Sequence, residues 1–180
     1  MGEHNKMRTI IHNKRGDAAS LIIGLTVMIF IIGVFALVGG KLILAITGAL
    51  KNDPTFTSSN NTLNTLNLVE SKTPGFLDYF FLFTIFSTII GLIISSIFVQ
   101  AHPAMMVIFI ILLVLAIIFA GIFVNAYTQI GETDAVSSVY NQLTMTKALM
   151  SHLPLILFIT GLIVMIILYG KSRSGGGQPI

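Results

Sequence analysis

The chain contains no cysteine and no tryptophan, and only 9% of its 180 residues are charged. Without cysteine it forms no disulfide, thiolate metal site or iron–sulfur cluster, and it has no cysteine nucleophile. That absence leaves the compartment open. A soluble domain carries about 25% charged residues, so too few charges are present here to cover a water-exposed surface. Hydrophobic residues make up 54% of the chain and mean hydropathy is +0.92. They fall in long unbroken runs, which favours a bilayer over an oversized soluble core. Net charge is +3, with the basic residues mainly at the two ends. Nucleic-acid binding would need a denser basic patch with interleaved aromatics, so these residues read as topology signals.

The basic N-terminal segment, residues 1–17, holds Lys6, Arg8, Lys14 and Arg15 against Glu3 and Asp17. An apolar run over 18–50 follows, broken only by Lys41. As a helix it would measure roughly 48 Å, well beyond a hydrocarbon core of about 30 Å. It must tilt or project. Lys41, next to Gly39 and Gly40, marks the expected exit as an interfacial anchor, because lysine near a span's end snorkels to the interface. Leu42 to Leu50 then forms an apolar stub that needs a cover.

Residues 51–75 are rich in Ser, Thr and Asn, with Pro54 and Pro74-Gly75 as punctuation. They read as a polar outer loop, with a short helix around Leu63, Leu66 and Val69. A transmembrane hairpin is expected over 76–127. Its first arm starts in an aromatic cluster (Phe76, Tyr79, Phe80, Phe81, Phe83) with Asp78 at the edge, as at an interfacial belt. Gln100 to Pro103 is the tight turn, and Pro103 suits the first turn of the second arm. Over 128–152, Thr133 is a plausible N-cap and Asp134 favours a first turn. Val136, Val139, Tyr140, Leu143 and Met150 share one face of an amphipathic outer helix. A fourth span is expected over 153–169, where Pro154 either kinks a continuous helix or starts a new one. The Gly-rich tail, 170–180, should be disordered. The fold expected is all-α: a polytopic integral membrane protein with four transmembrane helices, including one tight hairpin, plus an amphipathic extramembrane helix.

Basic residues at both ends place both termini on the cytoplasmic, interior side, with the two long connections outside. A signal peptide has an apolar core of about 7–15 residues and a small-residue cleavage site. The longer run here argues for a retained anchor. Lys14-Arg15-Gly16-Asp17 ahead of a long apolar helix resembles the leader of archaeal type IV pilin-like proteins, which implies cleavage after Gly16. The resemblance covers only the leader and first apolar run. Such proteins carry one helix and a soluble head, whereas three further spans follow here, so an uncut anchor is the expectation.

Ionisable groups in mid-span point to transport or proton relay. The later spans contain none, which argues against a pump. His102 beside Pro103 reads as a surface residue. His152 lies 20 and 18 residues from Glu132 and Asp134, without metal-ligand spacing. His4 and His12 carry no pattern. Gly175 to Gly177 follows a span rather than a strand, and Asn60-Asn61-Thr62 is a bare glycosylation match. No cofactor, metal, small-molecule substrate or enzymatic activity is expected. Small residues are the better signal. Ser87, Gly91 and Ser95 recur every fourth residue, flanked by Thr84 and Thr88, and Ala116, Ala120 and Gly121 offer a similar face. Either these stripes pack together within the hairpin or they form an oligomer interface.

Two functions of different class follow. The first is a non-enzymatic structural or assembly subunit that oligomerises or scaffolds partners in a cell envelope or virion membrane. The second is a small channel or holin-like pore, lined by Thr84, Ser87, Thr88, Ser95, Ser96 and Asn125. Those polar residues are sparse, which ranks the pore second.

Overall fold

A computed structural model describes residues 17–98 and 103–174. The basic leader with His4 and His12, the hairpin turn with His102, and the tail from residue 175 lie outside the described residues. Within them the chain is all helix and turn. The elements are α1 (Asp17–Asn52), α2 (Pro54–Thr57), α3 (Asn60–Phe98), α4 (Pro103–Gly131), α5 (Ser137–Tyr140), α6 (Thr144–Ser151) and α7 (Leu153–Ser174). Four stretches are long and apolar enough to cross a membrane: Leu21–Lys51, Asn60–Phe98, Met106–Gly131 and Leu153–Lys171. The chain is an integral membrane protein, with four candidate spans among the described residues. Pro103 occupies the first position of α4 and Pro154 the second of α7, where a missing N–H costs no helical hydrogen bond.

The region expected over 51–75 as a polar loop with a short helix around Leu63, Leu66 and Val69 is largely helical. After α2, capped by Asp53 Oδ1 accepting from Thr55 N at 2.8 Å, α3 starts at Asn60 and runs 39 residues through Pro74. An interior proline removes one backbone hydrogen bond and costs about 3 kcal/mol in an isolated helix. Here Pro74 is buried within the helix, and a few residues before it Glu70 of α3 forms an ion pair with Lys51 of α1. Composition alone signals a loop; tertiary contact makes it a helix. The fourth span also continues past Tyr169, because α7 carries on to Ser174.

Contacts divide the chain into two compact units. One comprises Met1–Val27, Ser87–Ala120 and Pro154–Ile180; the other comprises Met28–Phe86 and Gly121–Leu153. In the first, Phe109, Leu113, Ala116 and Ala120 are buried along one face of α4, and Leu157, Val164 and Leu168 along one face of α7. Gly161 of α7 sits under Leu113. A Cβ there would lie 2.7 Å from Leu113 Cδ2 and 3.1 Å from Cγ. Glycine lets the two helices approach without a void.

In the second unit, Phe30 of α1 stacks on Phe123 of α4, with ring centroids 4.5 Å apart. A Cβ at Gly33 would meet Met150 Sδ at 3.3 Å and Phe81 Cε2 at 3.4 Å, and one at Gly40 would meet Val139 Cγ1 at 2.9 Å. Gly40 and Gly33 are separated by about 10 Å along α1. The segment from Val139 to Met150 therefore runs beside the apolar part of α1, inward of Lys41.

Candidate functional site

Val136, Val139, Tyr140, Leu143 and Met150 are all buried, on the side the sequence assigns to the amphipathic segment. They do not lie on one helix. α4 continues to Gly131, a turn covers 132–136, and two short helices follow. Thr133 does not cap: its Oγ1 donates to Ile130 O at 2.6 Å. The first residues of α6 instead find their acceptor on another helix. Asp78, 5% exposed on α3, accepts from Met145 N (2.8 Å, Oδ2), Thr146 N (2.6 Å, Oδ1) and Thr146 Oγ1 (2.6 Å, Oδ1). One carboxylate thus serves two backbone donors that a helix start leaves unpaired, and a negative charge at that end also suits the helix dipole. Because this segment lies against apolar helix, water is a poor substitute acceptor, and non-helical backbone there needs protein partners. Asp78 is a latch.

Around the latch, Tyr140 packs edge-on to Tyr127, with centroids 5.7 Å apart, while Lys147 Nζ lies 4.5 Å from the Tyr140 ring centroid. Gly131 admits the same ring, since a Cβ would fall 2.6 Å from Tyr140 Cγ. Tyr127 is 1% exposed, and its hydroxyl is buried with no hydrogen-bond partner. At the other end of α6, His152 Nδ1 is 2.8 Å from Ala148 O and 2.9 Å from Ser151 Oγ, closing its own helix. Glu132 and Asp134 are exposed. Among the described residues no group of three or more His, Asp or Glu could hold a metal ion.

The structure separates the two small-residue stripes. Ala116 and Ala120 are fully buried. Ser87 and Gly91 face outward and Ser95 is half-buried; a Cβ at Gly91 would meet nothing within 4 Å. The described residues therefore do not cover the Ser87–Gly91 stripe. Lys41 is half-buried at the level where Val139 meets Gly40. The segment 136–150 does not cover the stub beyond it: Leu42, Ile43 and Ile46 stay exposed. In the sequence, Asp78 stands out only as a residue at the edge of an aromatic cluster. Its signal was there, a carboxylate in an otherwise uncharged aromatic run, but its partner lies 67 residues away. Comparison with protein families, with characterised proteins and with solved structures finds no match to this chain.

Proposed function

We propose that this protein is a non-enzymatic structural or assembly subunit that oligomerises, or scaffolds partners, within a cell envelope or virion membrane. The observation that carries this reading is the outward-facing Ser87–Gly91 stripe on α3, which the described residues leave uncovered. In lipid there is little hydrophobic drive between helices, so association relies on close backbone approach at small residues. The exposed apolar residues Leu42, Ile46 and Leu68 at the far ends of α1 and α3 support the same reading. Apolar surface at a span's polar end is a common mark of a partner. Both termini are assigned to the interior side on the strength of their basic residues.

The pore reading draws less support. Thr84 Oγ1 donates to Phe80 O at 2.8 Å and Ser96 Oγ to Ile93 O at 2.6 Å, so these hydroxyls serve their own helix. A cysteine-free chain makes the test clean. Gly91→Cys should give disulfide dimers in vesicles, whereas Ile118→Cys, exposed on α4, should not. Equal crosslinking at both positions would defeat the proposal. Conductance in reconstituted bilayers that disappears in Ser87→Leu/Ser95→Leu would establish the pore instead.

A further inference from the structure

A groove of about 180 Å³ runs between α1 and α3, with Ile32, Phe35 and Ala36 on one wall and Phe76, Leu77, Phe80 and Phe81 on the other. Every lining side chain is hydrocarbon. Phe76 and Phe80 stack one turn apart, with centroids 6.3 Å apart and planes 20° apart. Phe35, Phe76 and Phe80 nevertheless remain 69%, 69% and 51% exposed. Such rings would be costly in water but suit contact with lipid chains. Tyr79, exposed beside them, is a residue type favoured at the membrane interface.

Lys72 is exposed and precedes Phe76 by four residues, so it stands on the same face of α3, about 6 Å beyond the residues that line the groove. Helical side chains lean toward the helix N-terminus. The Lys72 ammonium is thus carried away from the rings, in the direction a headgroup takes above its acyl chain. Glu70, the acidic residue nearest in sequence, is engaged by Lys51, which offsets its repulsion of an anion. We infer that this groove binds an anionic glycerophospholipid, with an acyl chain along Phe35, Phe76 and Phe80 and the phosphate at Lys72.

The full chain is reconstituted in phosphatidylcholine vesicles containing trace phosphatidylglycerol or phosphatidylcholine with a photoactivatable acyl chain, and adducts are mapped by mass spectrometry. Groove residues should be labelled about fivefold more by phosphatidylglycerol, the preference expected from one lysine near the surface. Lys72→Gln should bring the two lipids to parity, and Lys72→Arg should retain the preference. Lys72 is exposed, so neither change disturbs packing, and unchanged helicity checks this. Three results would overturn the assignment: labelling spread evenly onto Ile118 and Val107, a preference that survives in Lys72→Gln, or chain-to-chain adducts at the groove in place of lipid.

Discussion

In the unit formed by Met28–Phe86 and Gly121–Leu153, an irregular segment is held by a carboxylate from a distant helix. In the other unit, two buried polar residues, Thr26 and Ser96, donate to carbonyls of their own helices, Ile22 O at 2.8 Å and Ile93 O at 2.6 Å. The contrast follows from backbone bookkeeping. A continuous helix pairs its own N–H and C=O groups, so its packing problem is one of shape. A chain that turns and restarts beside apolar helix exposes donors, and these need an acceptor placed by tertiary structure.

The strongest way to break this contrast is Asp78→Ala. It leaves Met145 N, Thr146 N and Thr146 Oγ1 without their acceptor, which should cost about 3–5 kcal/mol at 1–3 kcal/mol for each abandoned buried group, with overlap among the three. Thermal unfolding in detergent reads the loss, and hydrogen exchange should rise first over 144–151. Equal exchange throughout would mean that Asp78 is not a latch. In the other unit, Gly161→Ala should cost about 1–3 kcal/mol through overpacking against Leu113. Adding Leu113→Ala should recover part of that cost, a coupling that a double-mutant cycle measures. Polar removal should not always hurt. Tyr127→Phe deletes a buried hydroxyl without a partner and should be neutral or stabilise by up to about 1 kcal/mol; a clear loss would reveal a bonding role. Smallest is Lys51→Gln, where an exposed ion pair with Glu70 should be worth no more than about 1 kcal/mol and less at high salt. The Asp53 cap is also minor. Its hydrogen bond from Thr55 N lowers its pKa, so its contribution is present above the ordinary carboxylate range and fades as pH falls through the folded value.

Much of the architecture was legible because long apolar runs have few alternatives to a bilayer. The run from Ala18 and the one after Pro103 announce themselves by length. The buried side of the 136–150 segment was also legible, since polar residues between Val136, Val139, Tyr140 and Leu143 mark the opposite side. The α1–α3 hairpin beyond Lys41 was not. Only a short helix around Leu63, Leu66 and Val69 could be read there, because Pro74-Gly75 and the Asn/Thr-rich stretch carry loop propensities, yet α3 runs from Asn60 through Pro74. Nor does any periodicity distinguish buried Phe109 and Leu113 from outward Ile111 and Ile118, because spans apolar on every side carry no such contrast.

Composition by itself determined that this chain meets lipid four times, because hydrocarbon length and charge scarcity are properties of segments. The tertiary structure decided which small residues are covered, with Ala120 inside and Gly91 outside, and which carboxylate holds α6. Those are relations between residues far apart in the chain. They depend on which helix face meets which neighbour, and a run of Leu, Ile, Val and Phe does not record that.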